Sequence, residues 1–440
     1  MRATTIVSQS TPIGNSAISV VRISGPDTFV FSKKLSHQTS SFKHMEAQYL
    51  PVFIKNNEKL DNAIYLPFFS PKSYTGEDIM EISCHGNPNI VLTVINEILS
   101  FGAVLAEPGE YTKRAYLNGK IDLLQAESVA LLIESKSVEA VYQLSKNIGG
   151  VTSKKLSNIK KEIIQVLSII EFELDISEDE SYIKSQQNTM RTILRKVIKK
   201  IEGAISSFDT VSAHTRGLKV VFAGKPNVGK STLVNALIND DKIITSPTPG
   251  TTRDIISTNI TIKGLPFSFV DTAGIHETKN EIEAVGIEKT KEELRSADII
   301  ISVFSPDSEP VDFIKDKYKI FVHNKTDLKQ YLGNKKDVLS VSAATGSGLG
   351  SLRTKIANRY SSFRQDGSLP LITTLRQKNS LTGTLSSVKA SLELLGQNSP
   401  PLEILAQELT LAVGQLDITT GKTTTNDILD SVFSSFCVGK

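Results

Sequence analysis

The chain has 440 residues, with 50 Lys and Arg against 47 Asp and Glu and a net charge of +3. That length holds about two to four domains with real cores, and so small a positive balance does not by itself indicate nucleic-acid binding. Cys84 and Cys437 are the only cysteines, which excludes a disulfide framework and points to a reducing compartment. No apolar run approaches the ~20 residues of a membrane span, and Met1 to Ser8 lacks a signal-peptide core. The expectation is a soluble cytoplasmic protein with no membrane partner.

Residues 1–118 mix short β-type runs with loops. Ala17 to Ser24 has the β-branched content of a strand and stops at Gly25-Pro26. Ala63 to Pro67 and Ile79 to Cys84 read as further strands, and Ile90 to Leu99 has helical spacing. This predicts an α+β domain with its own core.

Residues 119–215 change texture. Leu156, Ile159, Ile163, Val166 and Ile170 recur at spacings of three and four, as do Leu194, Val197, Ile201, Ile205 and Phe208. Both patterns predict amphipathic helices. Residues 216–364 alternate strand and helix, the pattern of a parallel α/β sheet. Residues 365–440 return to helix, with Leu381, Leu385, Val388, Leu392 and Leu395 expected on one face. The simplest architecture is one helical bundle built from both flanks, with the α/β domain inserted at an exposed loop. Two separate helical domains fit the same pattern.

Gly224-Lys225-Pro226-Asn227-Val228-Gly229-Lys230-Ser231 reads G-x-x-x-x-G-K-S between the apolar run Leu218 to Ala223 and the helical run Thr232 to Leu237. Strand, glycine-bearing loop and helix form the setting a phosphate-binding loop requires. Backbone N–H groups from Asn227, Val228, Gly229, Lys230, Ser231 and Thr232, with the positive end of the helix, surround phosphate oxygens. Lys230 reaches the β- and γ-phosphates, and the Ser231 hydroxyl ligates Mg²⁺.

Further stretches follow in the order of a guanine-nucleotide site. Gly250 to Asp254 contains Thr252, placed to offer a second hydroxyl to Mg²⁺. Phe267 to Val270 leads into Asp271-Thr272-Ala273-Gly274, a D-x-x-G at a strand end. Asp271 orients the metal, and the Gly274 N–H approaches the γ-phosphate, so losing that phosphate releases the segment. Asn324-Lys325-Thr326-Asp327 follows the strand Lys319 to His323. A carboxylate at Asp327 accepts from guanine N1–H and the exocyclic amine, a donor pair adenine lacks. Ser342-Ala343-Ala344 supplies backbone to the guanine carbonyl. GTP is the expected ligand.

Ile275 follows Gly274, where Ras-type enzymes carry the glutamine that orients the attacking water. Two candidates could replace it: Asn227, as ligand of a monovalent cation beside the phosphates, and Glu283, as a water-orienting carboxylate. A plain surface residue fits each position as well.

The flanks carry a resemblance. Val21-Arg22-Ile23-Ser24-Gly25, Ser73 to Asp78, His85-Gly86, Pro108 to Ala115, Asn118 to Leu123 and the terminal Phe436-Cys437-Val438-Gly439-Lys440 together resemble the MnmE (TrmE) family of tRNA wobble-uridine modification GTPases, over the whole chain. The resemblance implies an α+β folate-binding N-terminal domain that also dimerises the protein, a discontinuous helical bundle, and an inserted P-loop GTPase domain. It implies work with an MnmG-type FAD flavoprotein, as a heterotetramer, on C5 of the wobble uridine of certain tRNAs. The group added is carboxymethylaminomethyl or aminomethyl, with 5,10-methylene- or 5-formyl-tetrahydrofolate as the one-carbon source. It further implies K⁺-stimulated GTP hydrolysis.

Carried over by motif, Arg22, Glu81, Lys120 and Lys440 are folate contacts. Asn227, Ser246, Thr248 and Thr251 are K⁺ ligands and GTP contacts, and Lys230, Thr252 and Glu283 are the catalytic set. Four departures stand out: C-V-G-K for C-I-G-K at the terminus, Asn87 after His85-Gly86, no basic residue at Ala344, and the proline-rich Ser246-Pro247-Thr248-Pro249. Asn87 is expected to take a left-handed turn. Cys437 fits a folate-proximal thiol or a small buried hydrophobe, and Cys84-His85 reads as structural. The basic pairs on the 151–200 helices fit a solvated face or a tRNA-phosphate surface. A non-catalytic regulatory GTPase, acting as a ribosome-assembly switch, is the competing class. The folate motifs and the F-C-V-G-K tail speak against it.

Overall fold

The computed structural model describes residues 4–176, 181–238, 257–271, 291–312, 314, 317–331, 337–358, 369–434, 436–437 and 439. The chain divides into two compact units. One comprises Met1–Ala130, Asn147–Leu194 and Gly383–Lys440; the other comprises Leu131–Lys146 and Arg195–Thr382.

The first unit is built on a six-stranded sheet. Its strands are β1 (Ile6–Gln9), β2 (Ile18–Ser24), β3 (Gln48–Ile54), β4 (Glu58–Phe68), β5 (Ile79–His85) and β6 (Val104–Leu105), in the order β3-β4-β5-β2-β1-β6. All neighbours are antiparallel except β1 and β6. Period-two alternation decides what each face carries. In β2, Ser19, Val21 and Ile23 are buried, while Ile18, Val20 and Arg22 point to the other side. The buried side packs under α1 (Thr28–Ser36) and α2 (Pro88–Ser100) through Val7, Val21, Ile23, Phe31, Leu35, Met80, Ile82, Val91, Val94 and Ile98. Register puts Arg22 opposite Glu81.

Asn87 corrects one expectation. Its φ of −93° and ψ of 124° are extended, not left-handed. It is the N-cap of α2, its side chain accepting from the Asn89 N–H at 2.9 Å, with Pro88 at the first helical position. An unsatisfied helix N-terminus uses an Asx side chain better than a left-handed turn does.

Short helices α3 (Glu110–Leu117) and α4 (Leu123–Glu134) follow, then α5 (Val138–Ile148), α6 (Val151–Ile176) and α7 (Ser181–Arg216). In α6, the five residues of the expected apolar stripe are at most 1% exposed. After the α/β segment, α10 (Leu375–Leu394), α11 (Leu402–Thr420) and α12 (Asn426–Phe433) complete the helical set. Within the first unit α6 packs along α11, and Lys160 Nζ meets Asp417 Oδ2 at 2.6 Å. One bundle therefore draws its helices from both flanks of the α/β segment.

The face of α10 differs in detail from the expected one. From Leu381 onward its buried positions are Leu381, Thr384, Val388 and Ser391, continuing to Leu395, whereas Leu385 and Leu392 are only half-buried. Ser391 is tolerated there because its hydroxyl donates to the Ser387 carbonyl at 2.8 Å.

The second unit holds the other six-stranded sheet: β7 (Leu218–Ala223), β8 (Ser257–Ile262), β9 (Leu265–Asp271), β10 (Ile299–Phe304), β11 (Lys319–His323) and β12 (Val338–Ser340). The order is β12-β11-β10-β7-β9-β8, parallel throughout except for the β8 edge. Both faces are covered, so the strands read as continuous apolar runs. Val220, Phe222, Phe269, Ile301 and Val322 pack on one side with α8 (Lys230–Ile238) and α9 (Leu349–Asn358), and Val221, Val270 and Ile300 pack on the other.

Candidate functional site: a nucleotide-binding loop array and a tail-clasped N-terminal face

The phosphate loop runs from the end of β7 to the start of α8. Gly224 must lack a side chain: a Cβ there would lie 2.2 Å from the Val303 carbonyl oxygen. Asn227 (φ 62°) and Gly229 (φ 88°) turn the chain through the left-handed region, which Gly and Asn adopt most readily. Lys230 opens α8 and is 6% exposed. Its ammonium donates to the carbonyls of Gly224 (3.0 Å) and Lys225 (3.1 Å). Burial lowers its pKa, and Asp271 at the end of β9 opposes that. A buried ammonium whose hydrogen bonds among the described residues go to neutral carbonyls is a seat for an anion. Ser231 and Thr232 are exposed at the same helix start.

The Asn324–Asp327 and Ser342–Ala344 loops, expected from the sequence to read the base, are interlocked with this loop. Asn324 is 2% exposed. Its Nδ2 donates to the Val228 carbonyl at 3.0 Å, and its Oδ1 accepts from the Ala343 N–H at 3.1 Å. Lys325 (φ 62°) donates to the Asn227 carbonyl at 2.8 Å. Ser342 Oγ donates to Asp327 Oδ1 at 2.6 Å, fixing a carboxylate that is otherwise exposed, as Ala344 is. Asn227 to Thr232, Asp271, Asn324, Lys325, Asp327 and Ser342 to Ala344 thus belong to one array at the carboxyl ends of β7, β9, β11 and β12, where open α/β sheets bind ligands. Ser246, Thr248, Thr251, Thr252, Thr272, Ala273, Gly274, Ile275 and Glu283 lie outside the described residues.

For Mg²⁺, the donor set fits: a hydroxyl at Ser231 and a carboxylate at Asp271 are oxygen ligands of the kind this ion takes beside phosphates. His323, one residue before Asn324, escaped the sequence reading. It is 1% exposed, with its ring against Phe304 (5.3 Å) and Tyr331 (5.4 Å), and Nδ1 has no hydrogen-bond partner among the described residues.

In the first unit, Arg22 Nε and Nη2 donate to Glu81 Oε1 at 3.0 and 2.7 Å. Arg22 Nη1 donates to the Gly439 carbonyl at 3.2 Å, and Ser10 Oγ donates to the same oxygen at 3.3 Å. The Arg22 guanidinium lies 5.5 Å from the Tyr111 ring centre, and the Tyr111 hydroxyl donates to the Arg22 carbonyl at 2.7 Å. Burial raises the Tyr111 pKa. Lys120 Nζ donates to the Pro71 carbonyl at 2.8 Å. The C-terminal residues are thus clasped onto the open face of the N-terminal sheet, where the Gly109 N–H also donates to the Cys437 carbonyl at 3.4 Å. Tyr111, inside the Pro108 to Ala115 motif, carried no role in the sequence reading. Lys440 lies outside the described residues.

Cys437 is exposed and Cys84 buried. Burial, with Asp61 adding to it, pushes the Cys84 thiol up to about 11, so it stays protonated and inert. His85 Nδ1 sits 2.7 Å from Asp61 Oδ1, and the Asp61 carboxyl is held below its ordinary value. No group of three His, Cys, Asp or Glu that could hold a metal occurs among the described residues.

Sheet order, phosphate loop and base-reading loops define the class: a multi-domain P-loop GTPase with its G domain set within a helical domain. Two family models cover nearly all of the chain. The GTP-binding protein TrmE N-terminus matches residues 5–120, and the MnmE helical domain matches residues 123–437. The tRNA modification GTPase MnmE of Thermotoga maritima is 38% identical over 99% of this chain and 100% of that protein. The protein of the same name from Aquifex aeolicus is 34% identical over 99% of each chain. The chain belongs to the MnmE family. Among solved structures, the G domain of the T. maritima FeoB iron transporter aligns with 32% of this chain and 97% of its own at 25% identity, with a TM-score of 0.23.

Proposed function

We propose that the protein hydrolyses GTP within a tRNA-modifying complex that adds a carboxymethylaminomethyl or aminomethyl group to C5 of the wobble uridine. The observation that carries the GTP reading is the Asn324 brace. It holds the loop of Lys230 and the loops of Asp327 and Ser342 in one array. The tRNA reading rests on full-length relatives that carry that name.

In this reading the loop N–H groups and Lys230 take the β- and γ-phosphate oxygens. Asp327 takes the guanine N1–H and amine, and the backbone at Ala343 and Ala344 takes its carbonyl oxygen. Ser231 and Thr252 hold Mg²⁺, which neutralises phosphate charge when bound. Asn227, with Ser246, Thr248 and Thr251, holds K⁺ on the side where other GTPases place an arginine. Glu283 orients the attacking water in place of the glutamine that Ile275 replaces.

The N-terminal domain takes a tetrahydrofolate and joins two copies into a dimer, and an MnmG-type flavoprotein supplies the redox partner. For the folate, the residues fit in part. Among the described residues the Lys120 ammonium bonds only to a carbonyl, whereas Arg22 is already balanced by Glu81. No helix among the described residues is long and apolar enough to cross a membrane, and the proposed place of work is the cytoplasm.

The test is GTP hydrolysis with Mg²⁺ in K⁺ against Na⁺ at equal ionic strength. Hydrolysis at least about tenfold faster in K⁺ is expected, because a cation in place of an arginine contributes transition-state charge stabilisation of that order or more. Equal rates would remove the Asn227 role, and equal turnover of ATP would remove the guanine reading.

A further inference from the structure

On the helix-covered side of the N-terminal sheet lies a cavity of about 540 Å³ whose lining includes Lys33, Lys34, His37, Phe53, Glu97 and Phe101. It is formed by α1, the end of β3 and α2, all in the first unit, and none of its residues belongs to the sites above. Helix α1 turns Phe31 and Leu35 into the core, which leaves Lys33 and Lys34 on the outward side. Neither ammonium is in ion-pair distance of a carboxylate among the described residues. Lys34 Nζ lies 5.4 Å from the Phe101 ring centre. His37 caps α1 in the left-handed region (φ 53°), and this lays its imidazole flat on Phe53, with ring centres 4.1 Å apart and 15° between planes. His37 is exposed, so its outer face is open.

A helix C-terminus favours lysine in its last turn, and this accounts for positive charge at the end of α1. It does not account for a half-buried Lys33 that makes no ion pair among the described residues, or for an imidazole held flat over a ring beside it. Cations that neutralise phosphates next to a flat π surface are the combination that binds single-stranded nucleic acid. Glu97 on the rim suits the exocyclic amine of a base.

We infer that the cavity framed by Lys33, Lys34, His37 and Phe53 is a contact for one unpaired nucleotide of RNA, its phosphate on the lysines and its base stacked on His37. This rests on the reading of tRNA as partner. An acidic peptide would satisfy the lysines and leave the imidazole face without a role.

The experiment measures binding of an unmodified tRNA transcript to the full-length protein across a salt series at pH 8. The wild type, Lys33→Ala/Lys34→Ala, His37→Asn and, as a control for general charge, Lys43→Ala are compared. Asn is chosen at position 37 because it tolerates the left-handed region. Loss of two phosphate contacts should reduce the slope of log affinity against log salt by about 2 and weaken binding roughly tenfold. His37→Asn should weaken binding at least about fivefold without changing the slope, since stacking is worth ~1–3 kcal/mol per base. Thermal melts and GTP hydrolysis should stay at wild-type values in all variants. A double variant that behaves like Lys43→Ala overturns the inference. Unchanged affinity in His37→Asn reduces the pocket to a bare anion patch and overturns the nucleotide reading. A wild type that binds no tRNA overturns the partner as well.

Discussion

Asn324 shows what a motif conceals. The N-K-x-D pattern reads as a base-recognition loop, yet its asparagine turns inward and braces the phosphate loop through the Val228 carbonyl and the Ala343 N–H. That role joins residues 96 positions apart, and no local spacing reports it. The same holds for Tyr111 beneath Arg22 and for the Gly439 carbonyl that receives the Arg22 guanidinium. The gathering of Lys230, Asp271 and Asp327 at one end of the sheet was legible because the proposed phosphate and guanine chemistry demands those residue types in that order. His323 was not, since a histidine in an apolar strand looks like any core residue. Its pKa is lowered from the ordinary 6.5 by burial. The folded value is below the unfolded one, so as pH falls the unfolded chain takes the proton first. Stability is therefore full above about 6.5 and declines below it. Thermal melts from pH 7.5 to 5.5 should show the α/β unit losing stability, with a smaller loss in His323→Phe. Identical pH dependence in both proteins would remove His323 as the cause.

At the scale of elements, strand and helix types followed from periodicity, and deviations arose where a side chain found a partner. Asn87 became a cap because α2 begins at Pro88. Thr384 and Ser391 are buried on α10 where Leu385 and Leu392 are only half-buried, and the Ser391 hydroxyl is satisfied within its own helix by the Ser387 carbonyl. Glycines mark close approaches in the same way. At Gly439 (φ 99°) a Cβ would lie 2.3 Å from the Gln9 carbonyl oxygen, so the tail lies flat on the end of β1. Gly439→Ala should lift the tail, free Arg22 Nη1 and Ser10 Oγ, and destabilise the first unit by about 1–3 kcal/mol. The urea unfolding midpoint reports it, and an unchanged midpoint would show that the clasp contributes nothing to stability.

At the scale of the molecule, the insertion was readable because the helical texture stops at the phosphate-loop strand and resumes beyond it. The choice between one bundle and two helical domains was not, because sequence does not show which helices touch. The pairing of α6 with α11 through Lys160 and Asp417 decides it. Two compact units with separate cores should melt as two transitions. Saturating GDP at about 100 times its dissociation constant should stabilise the transition of the α/β unit by ~2.7 kcal/mol. Calorimetry with and without GDP checks this, and an equal shift of both transitions would show that they unfold as one.

The most direct test of the proposed function is nucleoside analysis of tRNA from cells lacking this protein, complemented with either wild type or Lys230→Ala. Wobble uridine should be unmodified at C5 in the deletion, restored by the wild type, and still unmodified with Lys230→Ala, whose hydrolysis should fall at least about a hundredfold. Normal wobble uridine in the deletion strain would contradict the proposal and leave the regulatory GTPase as the better reading.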